Sequence, residues 1–383
     1  MKRGLCLLLF MGAFACKQRY VSPYHSPVTG YLVVEGVVNS GAGNTTLKLS
    51  RTTPLSNIDT IANETGALVR LEGQDNSLYV FAENTSGQYS ASNLNLNTSG
   101  KYRIHINTAN GEEYISDYVG INNDPPIDSV NWQSDSSGVQ LFVNTHDPQN
   151  NTHYYQWEYS ETWEFHSFDL TNLKYLIKYG PEGNIYNVAY RDSTDPQIFK
   201  CWQSNSSQIL IIGSSAKLSQ DLIFLQPLAS IPRNSWELSV LYSIDVKQYG
   251  LTSDAYTFLS EMKKNTEETG SIFDAQPSQF SSNLHCISDT SKTVIGFITI
   301  CPVQEKRIFI SNSSVPGWAY NSGCYEIVIG NIQDTLNKYG PGTLPSLPVQ
   351  TGPGNSIITF TIAPATCIDC TLRGTNVKPS YWP

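Results

Sequence analysis

The sequence predicts a mainly all-β protein: tandem immunoglobulin/fibronectin-III-like β-sandwiches, the second carrying a helical insertion, followed by a Cys-containing C-terminal segment. Three observations carry this reading. Charged residues are scarce at 15 % and aromatic residues reach 11 %, while Tyr, Ser, Asn and Thr are abundant, as in half-buried strands joined by polar turns. Apolar runs are short, alternate with polar residues and are separated by turn formers. Only one stretch, Tyr242 to Asn283, reads as a helix with its flanks.

The chain opens with MKRGLCLLLFMGAFAC. Lys2 and Arg3 form a positive n-region, Leu5 to Met11 is apolar, and small residues stand at Ala13 and Ala15, which predicts a signal peptide over 1–15, too short to cross a bilayer. Cys16 follows Ala15 directly, a pattern similar to a bacterial lipobox, so Cys16 is the expected lipidation site, and acyl chains there contribute about 0.8 kcal/mol per buried methylene. Residues 16–30, with Pro23 and Pro27, would be the lipid anchor and tether. The whole sequence holds 24 basic and 33 acidic residues. Removal of Lys2 and Arg3 makes the remainder more acidic still, which disfavours nucleic acid and anionic headgroups. The length left is enough for two or three cores.

A first β-sandwich is expected over 31–122. The runs YLVVEGVV, TTLKLSRT, ALVRLEG, SLYVFAE, GQYSA, KYRIHINT and EEYISDYV are its strands, with Leu47 and Leu49, or Tyr102, Ile104 and Ile106, facing a core. Asp75-Asn76, Ser86-Gly87 and Asn110-Gly111 sit at hairpin positions. Asn123-Asp124-Pro125-Pro126 reads as the boundary, because consecutive prolines cannot join a ladder.

The second β-sandwich is expected over 125–313. Its strands begin with IDSVNW, GVQLFVNT and HYYQWEYSETWEF, continue through NIYNVAY, SQILIIG and WELSVLYSIDVKQY, and close with KTVIGFITI and EKRIFIS. Trp157 and Trp163 fit a core better than a sugar-stacking platform. Thr252 can cap a helix near 252–265 on which Ala255, Leu259 and Met262 recur at helical spacing, with Asp254 at the positive end of the dipole and Lys263 and Lys264 at the negative end. A helical crossover between neighbouring strands is the simplest role for it. The polar loop that follows carries Ile272, Phe273, Asp274 and Gln276, apolar and charged residues a spacer does not need, which makes them partner-binding candidates.

The combination of YLVVEGVV, the tract VKQYGLTSDAYTFLSEMKKNTEETGSIFDAQPSQ, the GFITI and KRIFI pair, and the ending CIDCTLRGTNVKPSYW resembles a Bacteroidota outer-membrane lipoprotein family of unknown function (domain of unknown function four-two-four-nine). The resemblance runs over nearly the whole mature chain. It implies the outer membrane, commonly a TonB-dependent transporter or other outer-membrane protein complex as partner, and no established catalytic chemistry. The residues after the anchor, KQRYVSPY, lack the acidic export signal of many surface-displayed lipoproteins of this phylum. Cell-surface display is expected, and the missing signal keeps the periplasmic leaflet as its alternative.

Apart from Cys6 in the signal and Cys16, six cysteines remain: Cys201, Cys286, Cys301, Cys324, Cys367 and Cys370. An even number in an exported chain points to disulfides, with fifteen possible pairings. Zinc is the rival, since Cys367 and Cys370 have ligand spacing, but a zinc ribbon needs a second such pair. Residues 314–383, which include the Pro/Gly-rich YGPGTLPSLPVQTGPG, are expected to be irregular, with Tyr381 and Trp382 packed on a sandwich. No GxSxG elbow, HExxH, phosphate loop or dinucleotide fingerprint occurs, and no cofactor or metal is expected. Glu158, Glu161 and Glu164 could be imagined as a glycosidase pair, but the strand pattern favours a solvated face for Glu158 and Glu164. The function expected is a non-catalytic accessory lipoprotein that captures or presents a ligand for an outer-membrane assembly. The alternative is a free-standing glycan- or peptide-binding adhesin-like module.

Overall fold

Residues 30–53, 62–177, 185–267 and 281–383 are described in the computed structural model. Met1 to Ala15, Cys16 and the tether up to residue 29, as well as Ile272, Phe273, Asp274 and Gln276, lie outside the described residues. What is described is mainly β, as expected: two sandwiches, one long helix and a smaller third sheet.

All seven runs expected in the first sandwich form strands, from Leu32–Glu35 to Glu113–Ser116. They belong to one eleven-stranded sheet that folds over on itself, since the strand Leu78–Thr85 pairs with Leu68–Gly73 on one side and Gln88–Ser92 on the other. Alternation sends Leu47, Leu49, Tyr102, Ile104 and Ile106 into its core. The turns use the expected residues, with Asn76 and Gly111 at positive φ, the left-handed region that Asn and Gly tolerate.

The second sandwich packs a three-stranded sheet (Ile127–Ser134, Gly138–Thr145, Ile223–Pro232) on a five-stranded one. Tyr154–His166, the longest strand of the latter, lies between Lys200–Ser206 and Leu241–Gly250, and Gln304–Ser311 forms the edge. Trp157 and Trp163 are buried in the core between the sheets. The Trp157 indole N–H donates to Gln248 Oε1 at 2.9 Å, which satisfies the one polar atom that burial would otherwise strand.

Residues 125–313 are not one continuous domain. Leu284–Cys286 pairs with Glu113–Ser116, Val294–Gly296 runs parallel to Leu32–Glu35, and Ile300–Cys301 runs parallel to Val38–Asn39. KTVIGFITI thus returns to the first sandwich, where Val294, Ile298 and Ile300 are core residues. The strand beside Leu241–Gly250 is EKRIFIS instead. Consequently the helix Ser253–Glu267 is not a crossover within one sheet; it carries the chain from the second sandwich back to the first. Its local signals are as expected, with Thr252 Oγ1 accepting from Ala255 N at 3.1 Å. Ala255 and Phe258 are buried.

Nor is the C-terminal segment irregular. Ile327–Gly330, Ile357–Pro364 and Thr343–Thr351 form an antiparallel sheet. Its Phe360 and Ile362 pack against Leu173 and Val188 of the hairpin Leu173–Ile177/Ile185–Tyr190. The Pro-rich run is tolerated because Thr343–Thr351 is an edge strand whose register shifts between Pro345 and Pro348 and again before Gln350, where a missing N–H breaks no ladder bond.

The expected disulfides form, but at four of the six cysteines. Cys201 joins Cys370 and Cys324 joins Cys367, so the CxxC sulfurs serve two separate disulfides. Cys286 and Cys301 remain buried thiols. Both lie on the excursion into the first sandwich, on strands with different partners, a placement that spacing in the chain does not reveal.

Candidate functional site

The outer face of the five-stranded sheet is where side chains from distant parts of the chain converge. Strand alternation turns Trp157, Trp163, Ile244 and Val246 inward and leaves polar cross-strand pairs outside: Glu158 with Lys247, Ser160 with Asp245, Thr162 with Ser243, and Asp245 with Arg307. One end of this face is covered by the chain's last residues. Trp382 is buried and donates its indole N–H to Glu164 Oε2 at 3.0 Å. The Tyr381 hydroxyl hydrogen-bonds Thr162 Oγ1 at 2.9 Å, and the Arg307 guanidinium lies 3.8 Å from the Tyr381 ring centroid. Tyr381 and Trp382 therefore pack as expected.

Glu164, expected on a solvated strand face, is buried beneath this cover. It is held by Lys200 at 2.9 Å and His166 at 3.1 Å as well as by Trp382. Burial works against its charge, but the hydrogen bonds from Lys200, Trp382 and His166 outweigh it, and its pKa falls below the usual value. Glu161 faces the other way and accepts from Tyr242 OH at 2.7 Å. No two of Glu158, Glu161 and Glu164 share an open site, as a glycosidase pair would.

The other end of the face meets the helix Ser253–Glu267 and the strand Leu32–Glu35. Here a trough of ≈ 390 Å³ is lined by Glu35, Glu158, Ser160, Ser206, Asp245 and Lys247 among others. Below the helix it adjoins a second cavity of ≈ 200 Å³ walled by Val33, Val34, Phe258, Leu259, Ile295 and Phe297. Five residues line both: Glu35, Gln156, Glu158, Leu210 and Met262. After the strand Leu32–Glu35, Gly36 lets the chain pass close over the neighbouring strand Asn44–Arg51 of its own sandwich. At φ +125° a Cβ there would stand 2.5 Å from the Thr46 carbonyl oxygen.

Electrostatics grade along the trough. Glu35 is exposed, with Lys48 3.6 Å away. Glu158 is also exposed and accepts from Tyr249 OH at 3.0 Å. Asp245 is buried; its Oδ2 accepts from Arg307 at 2.6 Å, and its Oδ1 has no hydrogen-bonding partner. Burial first, and then the Glu305 carboxyl, push its pKa up, with Arg307 opposing.

A family model described as "Domain of unknown function (DUF4249)" matches residues 19–307. The chain belongs to that family. The DUF4249 match takes in Glu35, Glu158, Asp245 and Lys247, and it ends inside the strand Gln304–Ser311, so the third sheet and the Tyr381-Trp382 cover lie beyond it. No curated protein matches the chain. Among solved structures, the FN1–FN3 domains of chicken CNTN1 align over 58 % of this chain and 62 % of theirs, at 13 % identity and a TM-score of 0.18. Chitinase ChiA74 from Bacillus thuringiensis aligns over 50 % of this chain and 30 % of its own, at 13 % identity and a TM-score of 0.15. The chain thus spans less than two thirds of either protein.

Sequence reasoning missed the trough. The alternation in SIDVKQ puts Asp245 and Lys247 on one face, and that in EYSET does the same for Glu158 and Ser160. The register that sets these pairs side by side, and the return of the chain to Leu32–Glu35, are long-range facts without a local signal.

Proposed function

We propose that the chain is a non-catalytic outer-membrane lipoprotein, held by acyl chains on Cys16, that serves as accessory to a TonB-dependent transporter or another outer-membrane assembly by capturing or presenting a ligand. The observation that carries this reading is the cleft at the meeting of two sandwiches and one helix, apolar inside and carboxylate-rimmed outside, which is the shape of a binding site on a rigid scaffold. The lipobox-like MKRGLCLLLFMGAFAC supplies the anchor. The separation of Glu158, Glu161 and Glu164 over two faces of one sheet argues for binding rather than glycoside chemistry.

The test is affinity purification from native membranes of the full chain and of Cys16→Ser. Membrane retention lost in the variant, together with a stoichiometric outer-membrane barrel recovered with the unaltered chain, supports the proposal. Retention of a lipid-free variant refutes the anchor. A lipoprotein recovered alone that still binds ligand moves the reading to the free-standing module.

A further inference from the structure

A polar cluster is sealed inside the second sandwich, away from the cleft. Thr145 ends the strand Gly138–Thr145 of the three-stranded sheet, Gln248 lies on Leu241–Gly250 of the five-stranded one, and Asp124 stands at the joint before them. Thr145 and Gln248 are wholly buried and Asp124 is nearly so. The Gln248 amide is gripped at both ends. Its Oε1 accepts from the Trp157 indole N–H at 2.9 Å, and its Nε2 lies 2.7 Å from the Pro125 carbonyl oxygen, 3.0 Å from Asp124 Oδ1 and 3.3 Å from Thr145 Oγ1. An amide nitrogen carries two hydrogens, and the two nearer oxygens account for them. Thr145 Oγ1 donates its own hydrogen to the Pro126 carbonyl at 3.1 Å, which leaves its lone pairs beside the amide.

These are the parts of an acyl transfer: a hydroxyl, a carbonyl polarised by a fixed donor, and an acid on the leaving nitrogen. Burial drives the Asp124 carboxyl up to about 7, so a proton is at hand there near neutral pH. Burial of all three side chains also excludes the bulk water that would hydrolyse the product. Gln248 Cδ is bonded to Nε2 at about 1.33 Å. A small side-chain rotation therefore brings Thr145 Oγ1 from its contact with that nitrogen to a near-attack separation of roughly 3–3.5 Å from the carbon.

We infer that Thr145 and Gln248 become joined by an ester bond that staples the two sheets of the second sandwich together. Thr145 Oγ1 attacks Gln248 Cδ, and charge gathers on Oε1 under the Trp157 N–H. Asp124 passes its proton to Nε2, the Cδ–Nε2 bond breaks, and the threonine's proton restores the Asp124 carboxyl. One C–O bond replaces one C–N bond, one ammonia leaves, and no oxidant or reductant takes part. Each chain reacts once. The bridge spans 103 residues. Neither disulfide of the described residues joins these two sheets, since Cys201–Cys370 ties down the tail and Cys324–Cys367 lies within the C-terminal segment.

Linkage needs neither the anchor nor a partner, so its outcome is separate from the membrane test. The full chain is kept folded near neutral pH, and its intact mass and peptide map are followed beside those of Thr145→Val and Thr145→Ser. The unaltered chain is expected to become lighter by one ammonia and to yield a linked pair of peptides containing Thr145 and Gln248. Mild alkali after digestion should part them, because it hydrolyses an ester and spares peptide amides. Thr145→Ser keeps the hydroxyl and should link as well, whereas Thr145→Val should give both peptides unlinked and melt at a lower temperature. Thr145→Val also retains the Gln248 amide, so Asp124 variants made on it report ionisation alone. Both peptides recovered unlinked from the folded chain however long it is kept, ammonia loss that maps to the Asn110-Gly111 turn instead, or an equal loss from Thr145→Val overturns the inference.

Discussion

Asp124 is the residue whose ionisation should govern how firmly the two sandwiches are joined. It sits in the Asn123-Asp124-Pro125-Pro126 joint and is only 3 % exposed. Its Oδ1 accepts from Gln248 Nε2 at 3.0 Å, its Oδ2 is buried without a partner, and Gln304 spends its amide on the backbone oxygen at 3.0 Å. No cation among the described residues offsets the burial, which pushes the carboxyl from an ordinary 3.8 up to about 7. A change of that size corresponds to on the order of 4 kcal/mol between protonation states. The sign follows from the raised value in the folded chain: the contribution is fully present below the unfolded value of 3.8 and is lost as pH rises through about 7. Asp124→Asn keeps an acceptor for Gln248 and removes the charge. Urea unfolding followed by tryptophan fluorescence, run side by side at about pH 5 and about pH 8, isolates this group as the difference between the two proteins. The variant should gain on the unaltered chain as pH rises and be the more stable by up to a few kcal/mol at the alkaline end. A difference that does not change with pH, or a variant less stable at about pH 8, would refute the argument.

Other expectations are more direct. Alkylation of the native, unreduced protein should label neither Cys286 nor Cys301 until it is unfolded, and reductant should release four further thiols; a free thiol at Cys201 or Cys370 in the oxidised protein would contradict the pairing. Cys201→Ser with Cys370→Ser removes a bridge across 169 residues and should lower stability by about 2–5 kcal/mol in a thermal or urea melt. Trp382→Ala should destabilise by about 3 kcal/mol, because it empties a buried site and strips a hydrogen bond from Glu164; unchanged melting would show that the terminal residues do not seal the sheet. Replacing Ile272 to Gln276 with Gly-Ser residues should weaken recovery of the partner complex at an unchanged melting temperature. Unchanged recovery would make the loop a mere connection.

Elements were legible in the sequence where the signal is local. Thr252 before Ser253–Glu267, Asn76 and Gly111 at tight turns, and the alternation of Tyr102, Ile104 and Ile106 are each decided within a few residues, and each stands where the pattern puts it. Partners were not legible. KTVIGFITI is a strand by composition, but nothing in it chooses between the edge beside Leu241–Gly250 and the edge beside Leu32–Glu35. The choice is made by which apolar face needs covering, and the first sandwich takes Val294, Ile298 and Ile300 into its core. Proline misled in the opposite direction. Pro345 and Pro348 argue against a central strand, and rightly, but an edge strand with shifted register is open to them.

The candidate site shows the same division one level higher. That Glu158 faces outward follows from Trp157 facing inward, a period-two deduction. That Glu164, on the same face, is buried and charged while Glu158 stays open depends on Tyr381 and Trp382 arriving more than two hundred residues later, tied there through Cys201 and Cys370. One strand face is thereby divided into a sealed half and an open half. Only the open half borders the helix and Glu35, so the tail and the first sandwich together determine which carboxylates a ligand can reach. The tail lies beyond the DUF4249 match and the floor of the trough lies within it. Removing the tail should therefore lengthen the accessible face toward Glu164 without moving Glu35 or Glu158, and a ligand that reads only those two would bind the shortened chain as well as the whole one.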